Sequence, residues 1–348
     1  MSSPTLFPPA TARDTVRAWA LAPGWLACGL LAAVFVFDPV VPLWAQYLPL
    51  ALSVVLVGLP HGALDHLVPS RLRGEPATRR SLAAVGLLYA VLGGGYAAGW
   101  FLAPAACFVG FVLLTLAHWG QGDVHALVAL AGGDHLRSRP QRVLAAVVRG
   151  GFPMLVPLVA FPEQYRRVAE AVVAPFFGNT DLLASAFAPR VRVAVAVGFT
   201  LLVAAHLALG YLRRSGSGGF RRDVGETLLL GGFFSTVPPI LAVGTYFCLW
   251  HAARHVARLV LLDPPAVDAL SRDDVGVALG RFARQAAPLT LVSLGFLVAL
   301  YLLVPRPPTT VEGFVGLYLV LIAALTLPHV VVVAWMDRVQ EVWSPRAA

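Results

Sequence analysis

Nine apolar runs constrain this chain more than any other feature. A helix needs ~20 mainly apolar residues to cross the hydrocarbon core of a bilayer. Runs of about that length fall at 18–37, 44–67, 82–102, 105–130, 143–161, 191–212, 238–262, 286–304 and 312–336. Only 13% of the 348 residues are charged, against roughly 25% in soluble domains. The expected fold is therefore all-α: a polytopic integral membrane helical bundle of eight or nine transmembrane helices. No extended hydrophilic block could form a second domain. Residues 1–348 are read as a single membrane domain, with an N-terminal tail at 1–17 and a C-terminal tail at 337–348.

Prolines and glycines punctuate this pattern. Pro238-Pro239 must break a helix, because proline lacks the backbone donor and clashes with the preceding turn. The apolar piece 226–237 is accordingly expected to be short or re-entrant, ending at that pair. The segment 163–190 is expected to lie in the membrane interface, and SGSGG (215–219) reads as a flexible loop. Arg13 and Arg17 precede a first apolar run too long for a signal-peptide core, which implies an uncleaved first span.

The net charge of +8 comes entirely from arginine; lysine is absent. The arginines cluster between apolar runs, at 71–80, 137–142 and 213–222. That is the pattern of cytoplasmic loops under the positive-inside rule. It places the N-terminus inside, although Arg166, Arg167, Arg190 and Arg192 then fall on the other side. Nothing gathers them on one basic face, so a nucleic-acid partner is excluded. Cys28, Cys107 and Cys248 are far apart within apolar runs and read as small buried hydrophobes.

Ionisable groups inside such runs are expensive and mark functional sites. Most of the nine histidines sit there. His251 and His255, in WHAARH, are four apart and share a helix face, so both rings can reach one metal ion. His61 and His118 lie in two other spans, each followed by a carboxylate, Asp65 and Asp123. Metal-bound imidazoles usually pass their second N–H to such a group. Three helices would then deliver four imidazoles at similar depth. His125, two turns from His118, reads as a supporting residue. His66 is turned away from His61 and is assigned to helix-end bonding. His135, beside Asp134, reads as solvated, and His206 as a satisfied core histidine. His329, after Pro328, is balanced between contacting the site and a structural role.

An all-imidazole set suits Zn, Cu, Fe or Ni rather than Mg or Ca. No HExxH stands in the chain, which counts against an intramembrane metalloprotease. A di-iron desaturase or hydroxylase needs more clustered histidines than the single HxxxH here. A haem-binding electron-transfer protein stays open on spacing alone, while the lack of internal repeats and of a polar path counts against a transporter.

GLPHGALDH (58–66), AHWGQGD (117–123), YFCLWHAARH (246–255) and TLPHVVVV (326–333), in this order, resemble the motifs of the Brp/Blh family. The resemblance covers about 45–337. It implies a multi-pass protein of the cell membrane that uses Fe(2+) and O2 to split the central 15,15′ double bond of β-carotene into two all-trans-retinal. It also implies a functional link to a retinal-binding rhodopsin. The family's iron ligands fall on His61, His118, His251 and His255; the last motif contributes His329 without an assigned role. On this reading Trp119, Tyr246, Phe247 and Trp250 are candidate walls of an apolar substrate tunnel entered from the lipid. Arg254 is expected to pair with a buried carboxylate such as Asp65 or Asp123, because a lone intramembrane arginine is costly.

Overall fold

The computed structural model describes residues 10–177, 181–214, 216 and 218–344. Among the described residues there is no strand. The helices are α1 (Thr11–Phe35), α2 (Leu43–Gly62), α3 (Val68–Arg73), α4 (Arg79–Leu102), α5 (Pro104–Ala129), α6 (Arg139–Ala160), α7 (Pro162–Val173), α8 (Asp181–Ala186), α9 (Pro189–Arg213), α10 (Gly218–Thr236), α11 (Pro239–Tyr246), α12 (Ala253–Val260), α13 (Pro264–Ser271), α14 (Val275–Leu303) and α15 (Val311–Val339). Eight of these, α1, α2, α4, α5, α6, α9, α14 and α15, are long and apolar enough to cross a membrane. The chain is a multi-pass membrane protein. Side-chain caps start several of the long helices: Ser138 accepts from Gln141 N, Thr78 from Ser81 N and Thr310 from Gly313 N.

The apolar run at 238–262 does not become one of these eight. Pro238 leaves helical backbone (φ −51°, ψ 137°), and a continuous rod then runs from Pro239 to Val260. The rod comprises α11, a π-turn at Phe247–Ala252 and α12. It is buried along most of its length in the centre of the bundle, with Tyr246, Trp250, Ala252 and Ala257 inaccessible. The reason is its polar content: His251, Arg254, His255 and Arg258 find partners only inside the protein. Lipid is met instead by α9 and α14, whose Leu201, Leu212, Phe296 and Leu302 are exposed.

The structure refines three other expectations. The piece 226–237 is not a short separate segment; it is the second half of the 19-residue helix α10, which is not among the eight spanning helices. Proline ends the helix as anticipated, but Asp223 and Glu226 turn inward and allow it to start at Gly218. Within SGSGG, Ser215 and Ser217 lie outside the described residues. The segment 163–190 begins with α7, which packs against α15 through a face containing Ala169, Val172 and Val173. Finally, the tails are shorter than 1–17 and 337–348. α1 already begins at Thr11, and the C-terminal segment is folded through Ser344, because Asp337 is buried and holds Trp343 Nε1 at 2.7 Å. Residues 1–9 and 345–348 lie outside the described residues.

Helices α5 and α6 meet backbone to backbone. A Cβ added to Gly120 would lie 1.9 Å from the Ala146 carbonyl oxygen, and one added to Gly150 would lie 1.8 Å from that of Leu116. Small residues let helix backbones meet where lipid removes the usual hydrophobic drive for association. This contact sets the depth of His118 and of Arg149. Gly150→Leu is expected to abolish recovery of monodisperse protein from detergent-solubilised membranes, measured by size-exclusion chromatography; recovery at the level of the parent chain would show that the contact can open at little cost.

Candidate metal centre

The site is built on four separate pieces of backbone. In α2 the helix breaks at Val57 (φ −143°) and resumes over Gly58–Gly62. Only glycine fits at 58, where a Cβ would lie 2.6 Å from Ser53 O and 2.9 Å from Phe247 Cε1. The carbonyls of Val57 and Gly58 face the ring of the next histidine, and Val57 O also accepts from His61 N at 3.0 Å. His61 Nδ1 lies 2.5 Å from Gly58 O and 3.1 Å from Val57 O. A nitrogen facing carbonyl oxygens must carry the hydrogen, so His61 has Nε2 as its free donor atom. His118 stands on α5, His251 in the π-turn, His255 on α12 and His329 on α15. π-Turns recur at functional sites because they shift the side-chain register locally.

All five rings are buried and gather in one cluster. The His118 ring centroid is 4.8 Å from that of His251 and 4.8 Å from that of His329. His61 lies 5.7 Å from His251, 5.5 Å from His255 and 5.1 Å from His329. Ligand atoms of His61, His118 and His329 all lie within 4.8 Å of one another, as do those of Asp65, His255 and His329. Both nitrogens of His118 and the Nε2 atoms of His251, His255 and His329 are buried without a hydrogen-bond partner. Buried polar atoms normally find one. Lone pairs left this way, converging from neutral imidazoles, suit a borderline transition-metal cation.

An apolar cavity ends on this cluster. Its volume is about 110 Å³, and His61, His118 and His251 are among its lining residues. His255 and His329 do not line it and pack against His61, which does. Trp119 and Phe247 line the cavity, and Trp119 stacks on His251 at 5.4 Å. Tyr246 and Trp250, the other two candidate walls, do not line it: Tyr246 packs behind Trp119, and Trp250 donates from Nε1 to Asp123 at 2.9 Å.

The supporting residues are arranged differently from expectation. Asp65 is one turn from His61 but bonds His329 instead: His329 Nδ1 donates to Asp65 Oδ2 at 2.8 Å, and Tyr89 Oη donates to the same oxygen at 2.7 Å. The carbonyls of Val57 and Gly58 already satisfy His61 Nδ1. Asp123 bonds no imidazole; it accepts from Arg254 at 2.8 Å. Arg254 thus pairs with Asp123, as anticipated, but also with Glu226 at 2.7 Å. His125 is buried but joins none of the ring contacts of the cluster. His66 bonds Ala63 O, in keeping with a helix-end role.

Glu226 belongs to a network that sequence reasoning missed. Arg149 on α6 reaches Asp223 at 2.6 Å and Glu226 at 3.0 Å. His135 Nε2 lies 2.7 Å from Asp223 Oδ2, and His206 Nε2 lies 2.9 Å from the same oxygen. His135 is therefore buried rather than solvated, because the loop 131–138 folds over α10 and offers its ring to Asp223. The signal was present: Arg149 sits within an apolar run, and an intramembrane arginine demands carboxylates. Tyr89 carried no such signal. It is aimed at Asp65 by a second π-turn, Tyr89–Gly93.

Fold and site together define a multi-pass helical membrane protein with an enclosed polyhistidine centre at the end of an apolar cavity. Comparison with known proteins sharpens this. A family model described as Beta-carotene 15,15'-dioxygenase matches residues 52–337. The probable beta-carotene 15,15'-dioxygenase Blh of Halobacterium salinarum is 48% identical over 98% of this chain and 99% of its own length. The probable beta-carotene 15,15'-dioxygenase Brp of the same organism is 36% identical over 87% of each chain. A beta-carotene 15,15'-dioxygenase of an uncultured marine bacterium is 24% identical over 58% of this chain and 65% of its own. No solved structure matches. The chain belongs to the beta-carotene 15,15'-dioxygenase family.

The ion network makes a stability prediction. Arg149→Met leaves Asp223 and Glu226 without their shared cation; removing one partner of a buried ion pair costs about 3–5 kcal/mol. A large fall in the thermal midpoint of detergent-solubilised protein is expected, and a midpoint within a degree or two of the parent would refute the network's structural weight.

Proposed function

We propose that this protein is an iron-dependent β-carotene 15,15′-dioxygenase, splitting the central double bond with O2 to give two all-trans-retinal. The observation that carries the reading is the apolar cavity that ends on buried, unpartnered imidazole nitrogens, in a chain of this family. His61, His118, His251 and His255 would hold Fe(2+). Bound iron would supply the activation of O2 that a hydrocarbon double bond requires.

The remaining work is assigned to the chain's own residues. The cavity wall is almost wholly hydrocarbon, with Phe108, Met154, Ile240 and Leu319 among its residues. Such a wall takes a polyene from the bilayer by hydrophobic transfer and excludes water from the reacting bond. Trp119 and Phe247 flank His251 and hold the chain's midpoint against the histidine wall. The Nδ1–H of His61, held by the carbonyls of Val57 and Gly58, keeps Nε2 turned toward the centre. The protein is assigned to the cell membrane among its lipids, with a retinal-binding rhodopsin as the acceptor of product.

Expression in a β-carotene-producing bacterium is expected to bleach the orange colour and yield retinal by chromatography. His251→Ala should still insert but lose bound iron and reduce retinal at least about 100-fold, a loss of ~2.7 kcal/mol in transition-state terms. Full activity in that variant would remove the site. Ile240→Trp should fill the cavity and lower retinal formation about tenfold or more while iron content stays near one per chain. An undiminished rate would show that the substrate does not use this cavity.

A further inference from the structure

We infer that His329 is itself a ligand of the metal, set from the side away from the cavity and oriented by a Tyr89–Asp65–His329 relay. The inference rests on the metal reading above and extends it to a residue outside the four-histidine set.

Three independent features of the structure converge on His329. Its ring lies against those of His118, His255 and His61, at 4.8, 4.9 and 5.1 Å, so it is as central to the cluster as any of them. Its Nε2 is buried without a partner, and it does not line the cavity, which leaves a metal rather than substrate as what that nitrogen meets. Its Nδ1 donates to a carboxylate, the arrangement that fixes the tautomer and raises the basicity of metal-bound imidazoles. The other rings of the cluster have no carboxylate partner among the described residues.

The charge of Asp65 points the same way. The buried carboxylates Asp123, Asp223, Glu226 and Asp337 each meet an arginine within 2.8 Å, and Asp263 meets Arg71 and Arg281. Asp65 is equally buried and has no arginine; among the described residues its polar partners are Tyr89 and His329, and its Oδ1 has none. An uncompensated carboxylate inside a membrane bundle is costly. A divalent cation on the far nitrogen of His329 supplies the missing positive charge through the imidazole.

Co(II) is a suitable probe, because its visible spectrum reports the number and type of its ligands. The detergent-solubilised wild-type chain is loaded first; failure to take up about one equivalent would remove the metal reading and this inference with it. In His329→Cys, a coordinating thiolate adds an intense sulfur-to-Co(II) charge-transfer band in the near ultraviolet, which a structural role would not produce. The native thiols do not mask it, since no cysteine belongs to the cluster and Cys248 Sγ donates to Pro49 O. Appearance of the band establishes the ligand. Wild-type Co(II) uptake in His329→Cys without the band overturns it. Should that variant fail to fold, the near-isosteric Asp65→Asn and Tyr89→Phe decide. Each keeps its volume, and the expected result for Asp65→Asn is an altered Co(II) spectrum with binding about 10- to 100-fold weaker. Unchanged spectrum and affinity in both variants overturn the assignment.

Discussion

A polar atom inside a lipid-embedded bundle has no water to fall back on, so it must find its partner in the protein. Arg254 shows how much of the structure follows from this. It sits on the central rod between His251 and His255, and it is clamped by Asp123 of α5 and Glu226 of α10. Asp123 lies little more than a turn from His118 on the same helix. One buried ion pair therefore fixes the height of α5 against the rod, and with it the approach of His118 to His251. Arg149 extends the clamp to α6 through Glu226 and Asp223. The alternation of two arginines with three carboxylates leaves every charge in the network beside one of opposite sign.

The same rule divides the centre into two faces. Toward the cavity, imidazoles are flanked by Trp119 and Phe247 and by hydrocarbon side chains. On the other side the surroundings are polar. Gln121 donates to Asp337, Asp337 holds Arg258, and Arg258 reaches the side-chain oxygen of Gln340. Arg142 adds a bond to the Val342 carbonyl, so the last turn of the chain closes this side. Irregular backbone occurs where the centre needs it: the break at Val57, the π-turn at His251 and the π-turn at Tyr89 each re-aim a side chain that a straight helix would direct elsewhere.

Much of this was legible in the sequence. Long apolar runs determine spanning helices because the backbone must satisfy itself within each segment. Histidines and arginines within those runs stand out because burying them without partners is prohibitive. What was not legible is who pairs with whom. Asp65, one turn from His61, goes to His329, while His61 Nδ1 is met by the carbonyls of Val57 and Gly58. His135 reads as a loop residue beside Asp134, yet it is buried because Asp223 lies across the loop. Trp250 and Tyr246, adjacent to the HxxxH pair, do not line the cavity while Phe247 does.

By itself the sequence determined an all-helical membrane bundle, a set of histidines too costly to leave unpaired, and membership of a family of carotene-cleaving enzymes. Those conclusions rest on local properties, namely hydropathy, spacing and motif. Only the tertiary structure decided which polar run would be withdrawn from lipid to form the core, which carboxylates face arginines, and which one faces an imidazole. Pairing between distant helices depends on their relative depth and rotation. Those are set by contacts such as Gly120 against Ala146, in which residues of different helices meet and no local pattern records the partner.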